Sequence, residues 1–122
     1  MTLEMIEKVV SNVTGTPIAM MHKNTRKREV VWPRQITMYF ASELTKLTWD
    51  KIGAHFGKDH ATALYARKRI NDLLFSDKQT KECISLCRQD MTKHNLLDWY
   101  IIIKRELEKD EIYEMCNIMP QY

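Results

Sequence analysis

Asp59, His60, Ala61 and Thr62 follow directly on Gly57-Lys58, and their side chains are of the kinds that read base edges. A carboxylate accepts from a cytosine amino group, a threonine hydroxyl donates or accepts, and a methyl group or ring edge lies against a thymine methyl. The same residues have a plainer use, because an aspartate at a helix start caps it by accepting backbone N–H bonds. A second group, Lys23, Arg26, Lys27, Arg28 and Arg34, is opposed only by Glu29 and is the densest positive charge in the chain. Such a patch draws polyanions by Coulomb focusing and counterion release. On charge alone, a solvated loop that keeps the chain soluble would look the same.

The elements that must position these groups are helical almost throughout. Leu3, Ile6, Val9, Val10 and Val13 recur at helical spacing, Thr14-Gly15-Thr16-Pro17 closes that helix, and a short one follows at Met20-Met21. The basic segment 23–30 reads as a loop. Pro33 then opens a longer helix, since its fixed φ and missing N–H suit a first turn, and Ile36, Phe40, Leu44 and Leu47 make the inner face. Thr48 caps a short helix from Trp49 to about His55, with Ile52 and Phe56 turned inward. Gly57 ends it, Asp59 caps the next helix, and that one runs to about Leu74 with Ala63, Ala66 or Arg67, Ile70 and Leu74 along one side. Two helices joined by a tight glycine turn follow the helix-turn-helix plan, in which the start of the second helix meets base edges.

At 122 residues, 44% apolar and 29% charged, the composition is that of one small globular domain, and the helical pattern makes it all-α. The formal charge of +3 hides a division: residues 1–74 carry +5 and residues 75–122 carry −2. No secretory core and no apolar run of roughly 18 residues is present, so the expected location is the cytoplasm, with no membrane partner. Cys83, Cys87 and Cys116 are an odd set, read as reduced core thiols rather than a disulfide framework.

Catalytic and metal chemistry find little support. Gly53-Ala54-His55-Phe56-Gly57-Lys58 looks like a phosphate loop but is one residue short, and Asp59 follows where a Ser or Thr would hold magnesium. Cys83 and Cys87 share a helix face with His94 beyond them, which is a looser pattern than zinc sites use. The expectation is a chain that is not an enzyme, with no cofactor, no metal and no nucleotide.

From about Leu3 to Leu74 the chain resembles the C-terminal DNA-binding domain of the bacterial chromosomal replication initiator DnaA. The residues that carry the likeness are Arg26, Arg28, Val30, Pro33-Arg34-Gln35, Met38-Tyr39, Glu43-Leu44-Thr45, Ile52-Gly53, Phe56-Gly57, Asp59-His60 and Thr62. By that resemblance Arg26 enters a minor groove, Arg34 and Gln35 hold phosphates, and Asp59, His60 and Thr62 contact bases in the major groove. Lys58, Ala61, Arg28 and Tyr65 complete the expected DNA-contact set. The chain departs from the family pattern in a turn one residue shorter, in Ala61 for a threonine, in Asp50 for a proline, in Ala63 for a valine and in Tyr65 for a histidine.

The expected division is therefore a DNA-binding domain over 1–74, with a recognition helix at 59–74 and a minor-groove loop at 23–30, and a helical extension over 75–122 packed on it. The implied role is sequence-specific binding of double-stranded DNA in the regulation of replication or transcription, in a bacterial or phage setting. In the extension, Ser76 or Asp77 caps a helix to about Met91, and Asn95 caps another through the apolar run 96–103. A helix apolar all round is either threaded through a core or covered by another chain. The second reading is thus a homodimer or replication-protein contact through residues 95–119.

Overall fold

A computed structural model describes residues 2–109 of the chain, with side chains described for residues 2–93. The chain divides into two units, Met1–Gln89 and Asp90–Tyr122. Six helices and no strand occur among the described residues: α1 Leu3–Thr14, α2 Ile18–Met21, α3 Arg28–Leu44, α4 Trp49–His55, α5 His60–Ser76 and α6 Lys78–Lys109. The all-α expectation holds.

Local chemistry explains most boundaries. Thr2 caps α1 by accepting from Met5 N at 3.3 Å, and Gly15, at φ 75°, ends it with its N–H on Ser11 O at 2.9 Å. That left-handed position favours glycine because a Cβ would crowd the following carbonyl. α1 buries Leu3, Ile6, Val9 and Val10 on one face, as its periodicity requires. Thr48 caps α4 through Lys51 N at 3.3 Å.

α3 is the central helix, packed on α1, α2, α4 and α5. It therefore buries more than one stripe, including Val30, Ile36, Met38, Tyr39, Phe40 and Ala41. Each large apolar side chain so buried contributes about 1.5–3 kcal/mol relative to exposure. Ile6, Val10 and Met21 from one side and Ile52, Ala63 and Ile70 from the other complete the core.

Three expectations need correction. α3 begins at Arg28, not Pro33, so the basic loop ends at Lys27 and Arg28 is already helical. Proline is tolerated inside because the carbonyl its missing N–H leaves idle, that of Glu29, accepts from Thr16 Oγ1 at 3.3 Å. Leu44 and Leu47 are not inner-face residues: they are 43% and 36% exposed, because α3 ends at Leu44 beyond the reach of its neighbours. Finally, Asn95 starts no new helix, since α6 is continuous from Lys78 to Lys109, through the apolar run 96–103 as well.

Within the first unit, the start of α6 lies against α3. Asp77 accepts from Thr80 Oγ1 at 2.6 Å, and that hydroxyl accepts from Trp32 Nε1 at 3.2 Å. Cys83, Ile84 and Cys87 are buried there, and no disulfide joins the two cysteines, as expected of core thiols. Expectations for side chains beyond Lys93, among them Trp99, Ile102, Met115, Cys116 and Met119, fall outside the described residues. No helix among the described residues is long and apolar enough to cross a membrane.

Candidate nucleic-acid interface

The turn between α4 and α5 is built by backbone bonds around Gly53. Lys58 N reaches Gly53 O at 2.8 Å and Gly57 N reaches Ala54 O at 3.0 Å, with Gly57 at φ 66°. This 6→1 and 5→2 pair is the Schellman ending, and it satisfies the last carbonyls of α4. Gly53 is essential to the close approach. A Cβ there would stand 2.4 Å from Asp59 O and 3.0 Å from Lys58 O.

Asp59 is the N-cap of α5, with Oδ1 accepting both Thr62 N at 2.9 Å and Thr62 Oγ1 at 2.7 Å. The Thr62 hydroxyl and then its backbone N–H hold the Asp59 carboxyl below the ordinary carboxylate range. A group whose folded pKa is lowered stabilises above its unfolded value and loses that effect as pH falls through the folded one. The stability difference between wild type and Asp59→Ala is therefore expected to be flat near neutrality and to shrink only below pH about 4, followed by thermal melts. A difference already gone near pH 6 would show that this carboxylate does not hold the cap. Because its proton is committed to Asp59, Thr62 presents its lone pairs outward and offers an acceptor to an incoming partner.

Asp59, His60, Ala61, Thr62 and Tyr65 are all exposed, Tyr65 by 60%. Lys58 is half-buried and donates to Asn24 Oδ1 at 3.0 Å, which ties the turn to the basic loop. Arg26 is exposed on that loop, and Arg28 is exposed at the head of α3, 4.0 Å from Asp77. Gln35 is half-buried. A cleft of about 500 Å³ brings Arg26, Arg28 and Gln35 together with Trp32 and Arg69.

Arg34 lies elsewhere. It is 5% exposed, and its donors go to backbone carbonyls, Nε to Met21 O at 2.8 Å and Nη2 to Lys23 O at 2.6 Å. Burial lowers its pKa. The guanidinium thus braces the root of the loop from inside.

Arg69 and Asn24 escaped the sequence reading. Arg69 had a signal: Thr62, Tyr65 and Arg69 stand at i, i+3 and i+7, one face of a helix. Asn24 had none, because its partner Lys58 is 34 positions away. Apart from these residues, Glu7 meets His22 and His55, three residues whose donor atoms cluster within 4.8 Å.

A short helix, a glycine turn and a capped second helix with an exposed leading face define a helix-turn-helix protein. The comparisons agree. A family model described as "Bacterial dnaA protein helix-turn-helix" matches residues 3–70, and the chain belongs to that family. Proteins named "Chromosomal replication initiator protein DnaA" are similar to it. The one from Flavobacterium psychrophilum is 39% identical over 84 residues, covering 68% of this chain and 18% of the relative. For Geobacter metallireducens the figures are 35% over 91 residues, 74% and 20%, and for Rickettsia akari 41% over 86 residues, 70% and 19%. The chain thus matches about a fifth of the length of these relatives, and what it matches in the family is the helix-turn-helix part.

Proposed function

We propose that the chain binds double-stranded DNA sequence-specifically in the control of replication, with the start of α5 in the major groove and the loop 22–27 against the adjacent minor groove. Transcriptional control is a second use of the same binding. The observation that carries this reading is the exposed Asp59–Thr62 pair, continued by Tyr65 and Arg69, on a helix whose leading turn is joined to the basic loop by Lys58 and Asn24. A major groove admits an α-helix, and a narrow A·T-rich minor groove concentrates the negative potential that an arginine seeks. The relatives' name, chromosomal replication initiator, supports the process.

In this arrangement Asp59, His60, Ala61, Thr62 and Tyr65 face bases, Arg26 enters the minor groove, and Arg28, Gln35, Lys58 and Arg69 face phosphates. Arg34 acts from behind, by setting the path of the loop. No cofactor or nucleotide takes part and no reaction is catalysed. Residues 1–74 carry the reading and 75–122 form an extension, whose stretch 95–119 serves a second copy or a replication protein. The place of action is the cytoplasm.

Selection from a random duplex library, followed by titration of the winner, tests the reading. Binding should weaken steeply with salt. Arg26→Ala should lower affinity and relax an A·T preference on one flank, whereas Thr62→Val should change the preferred base at one position, a discrimination of about 1–3 kcal/mol. Enrichment of no sequence, with Arg26→Ala and Thr62→Val both as wild type on duplex, would overturn it.

A further inference from the structure

We propose that Glu7, His22 and His55 form a binding site for one divalent transition-metal ion of the zinc type. Glu7 comes from α1, His22 caps the end of α2, and His55 is the last residue of α4. Both histidines turn Nε2 to the same carboxylate, His22 onto Oε1 and His55 onto Oε2, the latter at 2.7 Å. All three donor sets lie within 4.8 Å of one another.

The surroundings fit an ion. Glu7 is 4% exposed, His55 is half-buried and His22 is at the surface, so a buried anionic floor has one open side. The rings are held by packing: their centroids are 5.0 Å apart, and each lies against Phe56, at 4.8 Å for His22 and 4.9 Å for His55. Among the described residues these histidines are the only ion-pair partners of the buried carboxylate. A dication held by all three would meet that carboxylate directly.

Two imidazoles, one carboxylate and a position open to water make a set that zinc accepts in tetrahedral geometry. Magnesium and calcium, which favour oxygen ligands, suit it poorly. An ion about 2.0–2.2 Å from each ligand needs ligand atoms roughly 3.3 Å apart, so the two Nε2 atoms would draw back from the Glu7 oxygens they now meet. Sequence spacing hides the set, since Glu7 stands 15 positions from His22 and 48 from His55.

The placement matters for the interface. His22 sits between the two residues whose carbonyls Arg34 holds, at the root of the basic loop, and His55 leads into the Gly57 turn. An ion would join the loop to the turn ahead of α5. That consequence rests on the proposed DNA reading, but the site does not.

The test uses the full chain, stripped with chelator, and metal alone. Zinc at about a hundred times its Kd should raise Tm by about 10 °C, and magnesium should not. Cobalt(II) should bind once per chain with a tetrahedral d–d spectrum and no thiolate charge-transfer band, which separates the site from Cys83, Cys87 and Cys116. His22→Ala, at a surface position, should lose the zinc shift, and so should Glu7→Gln, which keeps a hydrogen-bond acceptor but no charge. No zinc shift in wild type, a full shift retained in His22→Ala, or a thiolate band would each overturn the proposal. If Glu7→Gln fails to fold, His22→Ala decides. No arm contains DNA, so failure here and failure of the DNA reading are separate results.

Discussion

Gly53→Ala should unfold the chain roughly 2–8 °C lower than wild type and cut duplex affinity about tenfold at temperatures where it remains folded. Two effects oppose each other. Gly53 lies inside α4, where alanine is favoured by about 0.8–1.0 kcal/mol on helix propensity. The added Cβ, however, would meet the carbonyl oxygen of Asp59 at 2.4 Å and its carbon at 2.9 Å. Those are backbone atoms, so they cannot swing aside, and overpacking of this kind costs about 1–3 kcal/mol, at times more. The overlap wins, and the net loss converts to the stated fall in Tm.

The loss of binding comes from geometry rather than stability. Asp59 is the cap of α5 and the holder of Thr62, so pushing its backbone away tilts the face that reads bases. A site works only when held to within about half an ångström. Gly15→Ala is the matching control: it strains a residue at φ 75° but meets nothing within 4 Å. It should lower Tm while leaving affinity as it was. Gly53→Ala with wild-type Tm and affinity would show that the turn does not depend on the close approach.

What the sequence made legible is what local chemistry decides. Thr48 and Asp59 could be placed as caps because a cap needs only its own next three residues. Gly57 could be placed as a helix end for the same reason, and the exposed Asp59–Thr62 face followed from it. Pro33 misled because the bond that excuses it comes from Thr16, on the far side of the basic loop. Leu44 showed the right period, but period says which face a residue is on and not whether anything covers it. Glu7, His22 and His55 were invisible for a related reason, since three helices must dock before they meet. Arg34 was legible as a charge near other charges, and only packing shows that it points inward.

Arg34→Ala should cost about 2–4 kcal/mol, because it strips a charged donor from two carbonyls at once, Met21 O at 2.8 Å and Lys23 O at 2.6 Å. Arg34→Lys should recover only part of this, since an ammonium keeps the charge but lacks the planar fork that reaches both. Duplex affinity should fall in both variants, and the mechanism of the fall is what a double-mutant cycle with Arg26→Ala reads. If Arg34 acts by holding the loop, its loss removes what Arg26 contributes, and the double variant should bind little worse than Arg26→Ala alone. If Arg34 instead grips a phosphate itself, the two losses should add, and each should flatten the salt slope by about one. Its 5% exposure and its two carbonyl partners favour the first outcome. Additive losses with both slopes flattened would place a phosphate on Arg34 and require the loop root to open when DNA binds.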